Sequence, residues 1–280
     1  MTRSSRFPSQ IPDPVDNPRR YGRPPHRVVL VHGGPGAGGE MAPVARRLSE
    51  GFGVIEPIQT ADSLDGQVDE LAGVVRFKAS SPAVLVGFSW GAWLGFILAA
   101  RHPDLVKQLI LVSSGPFSSQ YAADILETRL GRLDPSDRAE AESLLASLSP
   151  PGGDDPAAFA RLGTLFEKAD AHDPVESDIL DLIPRPDLFH RVFPEAAAIR
   201  RDGTLLALGK DIRCPVVAIH GDFDPHPADG VEEPLTSVLA DFRFIRLPRC
   251  GHRPWIERHA RDAFYSVLER EIDSTTPPSP

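Results

Sequence analysis

The 280-residue sequence has few of the features that mark membrane proteins, disulfide scaffolds or nucleic-acid-binding proteins. It contains two cysteines, Cys214 and Cys250, so a disulfide framework is excluded and a reducing, cytoplasmic location is expected. No apolar run approaches the ~18 residues of a transmembrane helix, and the first residues contain no apolar signal-peptide segment. The 30 basic residues are outnumbered by 39 acidic ones, and the net charge of −9 argues against binding to nucleic acid or to an anionic membrane.

Proline, in contrast, is abundant and unevenly distributed. Six of the 29 prolines fall within residues 1–25. Because proline has no N–H group to donate in a strand ladder, we expect residues 1–25 to form a disordered leader without strands. The same reasoning predicts a disordered tail at 274–280, which reads STTPPSP.

Short apolar runs alternate with amphipathic or apolar helical segments between these two ends. The runs predict strands at 27–31, 53–58, 83–87, 108–113, 214–221 and 242–247, and the other segments predict helices at 40–50, 63–78, 89–102, 230–240 and 255–271. Strand–helix alternation is typical of right-handed βαβ units. The predicted fold class is therefore α/β, with a mainly parallel sheet of about six strands and helices on both faces.

Residues 117–208 interrupt this alternation because they carry helical patterns but no clear strand. Two helices are predicted to begin at Asp134–Pro135 and at Asp155–Pro156, where aspartate is the N-cap and proline the first helical residue. The segment is predicted to be a helical cap inserted after the strand at 108–113, between the core segments 26–116 and 209–273. Five phenylalanines of the cap either line an apolar acyl pocket or form the cap's own core: Phe117, Phe159, Phe166, Phe189 and Phe193.

The strongest functional motif is G-x-S-x-G, present as GFSWG at 87–91 between an apolar strand and an apolar helix. A tight strand-to-helix turn requires glycine on either side of the serine, and Gly87 and Gly91 meet this need. The turn would present the Ser89 hydroxyl above the sheet, with the N-terminus of the following helix directed at a developing oxyanion. Ser89 is therefore the candidate nucleophile.

A serine nucleophile needs a histidine base and a carboxylate that orients the histidine. Two loops supply them at the sheet edge expected for Ser89, because Asp224 follows one predicted strand and His252 follows the next. The order serine, acid, histidine is the one this chemistry uses on such a sheet. Asp222 is the rival acid and His226 the rival base, and the loop positions favour Asp224 and His252.

The glycine-rich loop HGGPGAGG at 32–39 follows the first predicted strand. Its backbone N–H groups can donate to an oxyanion, so the N–H groups of Gly34 and Trp90 are the candidate oxyanion hole. The loop also matches G-x-G-x-x-G, with Glu56 near the position of a ribose-binding acid, which is typical of a dinucleotide site. Pro35 removes a donor from the loop and weakens that alternative.

A metal site is a further alternative for the loop that carries the candidate acid. Four alternating side chains there could hold a hard metal ion: His220, Asp222, Asp224 and His226. The favoured interpretation is a loop that holds one catalytic acid, so neither a metal nor a cofactor is expected.

Together, the HGGPG loop and the GFSWG turn resemble the α/β-hydrolase superfamily, and most closely its proline-iminopeptidase branch. The resemblance covers roughly residues 27–116 and 212–272. It implies the α/β-hydrolase fold, with Ser89 as nucleophile, Asp224 as acid and His252 as base. It also implies that the helical cap is a lid that selects substrates and excludes water.

The sequence also departs from that branch. Where proline iminopeptidases have a D-Q-R-G-type turn, this chain has EPIQTADS at 56–63, and Phe88 precedes the candidate nucleophile where that branch usually has glycine. Those enzymes bind the substrate amine through acidic lid residues. The cap offers Glu127, Glu140, Glu142, Glu167 and Glu176, which solvated helix faces explain equally well.

The expected function is that of a serine hydrolase that cleaves a small ester or amide through an acyl-enzyme. A proline-iminopeptidase-like aminopeptidase is the nearest alternative, and acyl transfer, thioester hydrolysis or carbon–carbon cleavage on the same triad is another. A non-catalytic ligand receptor is the alternative from a different class. The expected partner is a small ester, amide or short peptide, not nucleic acid or a membrane.

Overall fold

The computed structural model describes residues 17–148, 155–175 and 182–274. Residues 1–16 of the expected leader and 275–280 of the expected tail lie outside these ranges, so the disorder expected there stays a prediction. Within the described ranges, seven strands form the central sheet: β1 (Arg19–Tyr21), β2 (His26–Val31), β4 (Gly53–Glu56), β5 (Ala83–Phe88), β6 (Val106–Val112), β8 (Val216–Gly221) and β9 (Phe242–Leu247). A separate two-stranded ladder pairs β3 (Ala37–Gly38) with β7 (Ile183–Pro184).

The order of strands across the central sheet is β1-β4-β2-β5-β6-β8-β9. Every neighbouring pair is parallel except β1 and β4. The prediction of a mainly parallel α/β sheet is confirmed, and the carboxyl ends of its parallel strands meet at one edge.

The described part of the chain contains ten α-helices: α1 (Ala42–Leu48), α2 (Leu64–Lys78), α3 (Trp90–Arg101), α4 (Ile125–Arg132), α5 (Pro135–Leu148), α6 (Pro156–Asp170), α7 (Pro186–Arg201), α8 (Thr204–Ala207), α9 (Asp229–Val238) and α10 (Arg261–Ser274). None of these helices combines the length and the hydropathy that crossing a bilayer requires. Helices α2, α3 and α9 pack on one face of the sheet, and α1 and α10 pack on the other.

Two apolar clusters enclose the sheet because the side chains of each strand alternate between its faces. Val29 and Val31 of β2 belong to the cluster under α2 and α3, whereas Val28 and Leu30 belong to the cluster under α1 and α10. All four side chains are fully buried. Burial on both faces explains why β2 ends in a continuous apolar run rather than in an alternating pattern.

The edge strand β1 contradicts the expectation that residues 1–25 form no strand. It pairs antiparallel with β4, with Arg19 opposite Glu56 and Tyr21 opposite Val54. The strand contains no proline and pairs on one side only, so the prolines that flank it do not interrupt a ladder. The Tyr21 hydroxyl also donates a hydrogen bond to the buried Glu56 carboxylate, 2.9 Å away.

Helices α4 to α7 form the segment predicted as a cap, and they attach to the core through α7 and through the end of α6, where the Asp170 carbonyl accepts a 2.8 Å hydrogen bond from the His252 N–H. Helices α4, α5 and α6 share a small apolar cluster of their own: Leu130, Leu133, Ala141, Leu162, Leu165 and Ala169. Helix α7 instead buries Val192 and Ala196 in the core cluster under α2 and α3. Its Glu195 carboxylate accepts a 2.7 Å hydrogen bond from the backbone N–H of Leu64, which begins α2.

Candidate active site

Ser89 lies in the sharp turn between β5 and α3, at the carboxyl edge of the sheet. Its backbone adopts φ +52°, a left-handed conformation that is rare for a residue with a side chain. A Cβ atom on Gly87 would come within 3.0 Å of the Gly91 carbonyl oxygen, and one on Gly91 within 3.0 Å of the Val31 carbonyl oxygen. The two glycines of the motif are therefore required by close backbone approach, as expected for a nucleophile-bearing turn.

His252 and Asp224 are brought together by two loops at the same sheet edge. The Asp224 carboxylate is buried, and its Oδ2 accepts a 2.8 Å hydrogen bond from His252 Nδ1. The His252 ring packs against Phe88, the residue before Ser89, with ring centroids 4.9 Å apart. No hydrogen bond joins the Ser89 hydroxyl to His252 in the described ranges, and such bonds often tighten only when substrate binds.

Backbone contacts fix the two loops against each other. The N–H of Phe223 donates to the Cys250 carbonyl over 2.9 Å, and a Cβ on Gly221 would collide with that same carbonyl. Asp222, the rival acid, accepts a 3.2 Å hydrogen bond from the backbone N–H of Cys250. Asp222 thus holds the loops together, whereas Asp224 contacts the histidine.

His226, the rival base, occupies the other oxygen of Asp224. Its backbone N–H and its Nδ1 both lie 2.9 Å from Asp224 Oδ1, and its ring centroid lies 4.6 Å from that of His252. His220 approaches the same carboxylate, with Nε2 3.4 Å from Oδ2, and contacts the His226 carbonyl oxygen at 2.8 Å. Asp224 is therefore surrounded by three imidazoles.

The two candidate bases, His252 and His226, have pKa values shifted in opposite directions. Burial lowers the pKa of His252, but the Asp224 charge and its hydrogen bond outweigh burial and raise the pKa above 6.5. For His226, burial dominates and lowers the pKa to about 4. Burial raises the pKa of Asp224, yet the three histidines together hold it well below 3.8. A base is most effective when its pKa is close to the working pH, which favours His252.

The backbone N–H groups of Gly34 and Trp90 belong to residues that line the cavity beside Ser89, and within the described ranges they are free to donate hydrogen bonds to a ligand. Trp90 is the first residue of α3 and has no acceptor within the helix. In the described residues, neither N–H donates a hydrogen bond to the protein. Both residues line the same cavity as Ser89.

A buried hydrogen-bond network supports the glycine-rich loop and Trp90, and the sequence did not indicate it. The Trp90 Nε1 donates to the side-chain oxygens of Gln59 and Gln67, each 3.1 Å away. Gln59 in turn donates its backbone N–H to His32 Nε2 and its side-chain amide to the His32 carbonyl, both over 3.1 Å. Gln59 lies in the turn that departs from the proline-iminopeptidase pattern, and that departure was the available signal.

A cavity of about 380 Å³ lies between this sheet edge and the cap. Ser89 and His226 contribute to its core side, and α4 and α7 line its cap side. Of the five cap phenylalanines, Phe189 and Phe193 line the cavity and stack 4.9 Å apart. Phe117 instead packs against Trp93 in the core. The remaining two lie elsewhere, Phe166 beside the cap cluster and Phe159 against Phe189.

Arginines are the charged residues in the cavity wall. Arg129 and Arg200 both line it, and no carboxylate does within the described residues. The acidic cap residues form ion pairs away from the cavity: Glu127 and Glu142 with Arg138, Glu140 with Arg161, and Glu167 with Arg253. Glu176 lies outside the described residues.

The dinucleotide and metal alternatives would both use side chains that already form hydrogen bonds within the protein. Glu56, the candidate ribose-binding acid, is buried and accepts hydrogen bonds from the Tyr21 hydroxyl and the Met41 N–H. Asp224, His226 and His252 could supply metal ligands, since their candidate ligand atoms lie within 4.8 Å of one another. Both oxygens of Asp224, however, already accept hydrogen bonds from the Nδ1 atoms of those histidines.

The fold and the site together match one large class of proteins. The profile of the alpha/beta hydrolase fold family matches residues 77–258. The chain belongs to that family, and its relatives support a hydrolase.

Two curated relatives have hydrolase or esterase names. The 2-(acetamidomethylene)succinate hydrolase of Mesorhizobium japonicum is 34% identical over 80 residues, a match that covers 29% of each chain. The pimeloyl-[acyl-carrier protein] methyl ester esterase of Chromobacterium violaceum is 26% identical over 256 residues, covering 86% of this chain and 92% of the esterase.

The resemblance to proline iminopeptidases extends to the fold. The crystal structure of proline iminopeptidase from Mycobacterium smegmatis superposes with a TM-score of 0.58 over 93% of this chain and 96% of that chain. The two sequences are 18% identical, so the likeness concerns the fold alone.

Proposed function

We propose that the protein is a serine hydrolase that cleaves a small carboxylic ester or amide. The observation that carries the proposal is the His252–Asp224 pair, 2.8 Å apart, on the loops that flank the Ser89 turn. The Nδ1–H bond to Asp224 fixes the imidazole tautomer and leaves Nε2 free to accept a proton. No metal or cofactor takes part in the proposed reaction.

The reaction would begin when Ser89 Oγ attacks the substrate carbonyl carbon and His252 takes the hydroxyl proton. The negative charge that develops on the carbonyl oxygen would be stabilised by the N–H groups of Gly34 and Trp90. Protonated His252 would then give its proton to the leaving alcohol or amine, leaving an acyl-Ser89 ester. A water molecule activated by His252 would hydrolyse this ester and regenerate the hydroxyl.

The charge of the cavity argues against the aminopeptidase alternative. An aminopeptidase must bind a protonated amine, which requires carboxylates or carbonyl oxygens near the nucleophile. The cavity wall instead contains Arg129 and Arg200, and four of the five candidate acidic cap residues pair with arginines elsewhere. The name of one relative, a methyl ester esterase, also favours cleavage of an ester.

A non-catalytic receptor would not need this arrangement of groups. Holding Ser89 at φ +52° costs free energy, of order 1–3 kcal/mol. A binding function gives no reason to retain that cost.

The expected cytoplasmic location stays a prediction, and it is supported by Cys214 and Cys250, which are free thiols.

The proposal is tested with p-nitrophenyl esters of increasing acyl length beside proline and alanine p-nitroanilides. We expect ester turnover, and we expect kcat/KM to fall by roughly 10⁴–10⁶-fold in Ser89→Ala and His252→Ala. Ser266→Ala, an exposed serine on α10, is the matched control and should keep full activity. Anilide turnover that exceeds ester turnover would favour the aminopeptidase, and full activity of Ser89→Ala would refute the proposal.

The same assay decides between the two histidines. Because His226 contacts Asp224 but its pKa lies near 4, we expect His226→Asn to lose about tenfold in kcat/KM, far less than His252→Ala. A larger loss in His226→Asn than in His252→Ala would make His226 the base.

A further inference from the structure

Arg200, near the end of α7, is a cation without an acidic partner in the wall of the cavity. Its guanidinium carbon lies 5.4 Å from the centroid of the Trp93 ring. Its Nε is buried and has no hydrogen-bond partner in residues 17–148, 155–175 and 182–274. Within those ranges, no carboxylate forms an ion pair with it.

Arg129, the other arginine of the cavity wall, differs from Arg200 because it forms an ion pair. Arg129 donates from Nε and Nη2 to the two carboxylate oxygens of Asp170, over 2.8 and 2.6 Å. Arg200 has no carboxylate that accepts two hydrogen bonds from its guanidinium in this way within the described residues. Burial lowers its pKa, and the neighbouring Arg201 lowers it further, so the folded protein holds this charge at a cost.

Hydrogen bonds hold both the aromatic ring that Arg200 contacts and the helix to which Arg200 belongs. Trp93, on which it stacks, donates its Nε1–H to the Gly115 carbonyl over 3.0 Å. Helix α7 is attached to the core through Glu195 and the N–H of Leu64. An arginine stacked on an aromatic face keeps the in-plane N–H donors at its edge, and these match the two oxygens of a carboxylate.

The surroundings complete a site for a short organic anion. Phe189, Phe193 and Leu126 contribute apolar wall, and Ser89 and Gly34 lie in the same 380 Å³ cavity. A cavity of this size encloses a small molecule rather than a polymer. A substrate that reaches from the nucleophile to Arg200 would place its carbon chain on the apolar wall and its anionic end on the guanidinium.

We propose that Arg200 binds a carboxylate of the substrate, so that the protein prefers esters or amides that contain a second, ionised carboxyl group. This inference rests on the proposed hydrolase function and defines its substrate class. The carboxylate belongs either to the acyl part or to the leaving group, and the cavity wall is compatible with both. The experiment separates these two sources.

Two pairs of esters test the preference. In the first pair, monomethyl glutarate has a carboxylate on the acyl side, and methyl 5-oxohexanoate replaces it with a neutral acetyl group of similar shape. In the second pair, 4-acetoxybutanoate has the carboxylate on the leaving-group side, and 4-acetoxybutanamide is its neutral counterpart. Acid release is followed at constant pH, and the readout is the ratio of kcat/KM within each pair.

We expect the wild-type protein to favour the carboxylate in at least one pair. Loss of a hydrogen-bonded charge should reduce that ratio roughly 10- to 100-fold in Arg200→Met, which retains an unbranched apolar side chain. Arg200→Lys should recover only part of the ratio, because an ammonium lacks the planar fork. Arg201→Met, an exposed neighbour, is the matched control and should leave both ratios unchanged.

Direct binding separates failure of this inference from failure of the proposed function. Glutarate is titrated calorimetrically into Ser89→Ala and into Ser89→Ala/Arg200→Met, neither of which needs to turn over. Binding that is weakened by the Arg200 substitution supports the carboxylate site even if no ester is hydrolysed. Ser89-dependent ester turnover with equal ratios in wild type and Arg200→Met, and no glutarate binding, would overturn the inference and leave the hydrolase intact.

Discussion

At the scale of single residues, the environment of Asp224 distinguishes the two candidate bases. Each of its carboxylate oxygens accepts a hydrogen bond from the Nδ1 of a different histidine, His226 on one side and His252 on the other. The pKa of His252 is raised and that of His226 is lowered to about 4. The two imidazoles on one carboxylate therefore titrate in different pH ranges, His252 above its ordinary pKa and His226 below it.

The raised pKa of His252 predicts the pH dependence of activity. Because only the neutral imidazole accepts a proton from Ser89, kcat/KM should rise with pH and level off above an apparent pKa that exceeds 6.5. Asp224→Asn should lower that apparent pKa and reduce kcat/KM by on the order of 10⁴-fold. The measurement is kcat/KM for a neutral ester between pH 5 and 9, within the range where the fold is intact.

Asp222→Asn is the matched control for this pH profile. Asp222 contacts the backbone N–H of Cys250 rather than the histidine, so its substitution should leave the apparent pKa unchanged. An apparent pKa that moves in Asp222→Asn and stays constant in Asp224→Asn would assign the acid to Asp222.

The sequence indicates those candidate site residues that lie in short motifs or at the ends of predicted strands. Ser89 follows from its turn motif, and the places of Asp224 and His252 follow from the ends of two strands. Gln59, Gln67 and Arg200 were not indicated, because their roles depend on neighbours distant along the chain. His226 was recognised as a rival, but its bond to the second oxygen of Asp224 depends on how the loop folds back.

At the scale of elements, the turn between β5 and α3 is the part of the fold least tolerant of change. Gly91→Ala would place a methyl group against the Val31 carbonyl oxygen, which belongs to the neighbouring strand and cannot move independently. We expect a loss of several kcal/mol in the free energy of unfolding, or failure to fold. The measurement is denaturant-induced unfolding of the purified variant, or its yield of folded protein.

Gly73→Ala provides the matched control in α2. A Cβ at that position meets no atom within 4 Å, and alanine is the better helix former by about 1 kcal/mol. We therefore expect Gly73→Ala to be neutral or stabilising. A Gly91→Ala variant as stable as Gly73→Ala would contradict the close approach inferred for the turn.

Elements with a strong local pattern were the ones predicted well. Strand β2 has a continuous apolar run, and helix α2 has apolar residues at helical spacing, and each pattern specifies the type of its element. Strand β1 was missed because Arg19–Tyr21 has no apolar run and becomes a strand only by pairing with β4. Strand β7 was missed for the same reason, since its two residues pair only with β3.

At the scale of the whole molecule, the cap and the core meet around buried charged groups, and this couples stability to pH. Glu40 follows the glycine-rich loop, and its Oε2 is buried without a hydrogen-bond partner in the described part of the chain. Burial raises the pKa of Glu40 to about 7, although the charges of Arg253 and His252 act in the opposite direction. The folded state therefore binds this proton more strongly than the unfolded chain does.

Glu40→Gln should change how global stability depends on pH. A folded pKa of about 7 against an ordinary value of 4.5 means that the wild-type free energy of unfolding falls as pH rises through this window. The variant lacks this titration, so it should gain stability relative to wild type by at most ~1.4 kcal/mol per pH unit. Urea unfolding at pH 5, 6, 7 and 8 measures the difference, and parallel curves for the two proteins would show that Glu40 ionises normally.

Ser89 is an activated nucleophile in the proposed reaction, and covalent labelling can refute this role in one experiment. The protein is incubated with a fluorophosphonate, its intact mass is measured, and the modified peptide is identified by fragmentation. We predict one adduct per chain on Ser89, formed faster at pH 8 than at pH 6, and none in Ser89→Ala. An unmodified wild-type protein, or an adduct on another residue that persists in Ser89→Ala, would show that Ser89 is not the nucleophile.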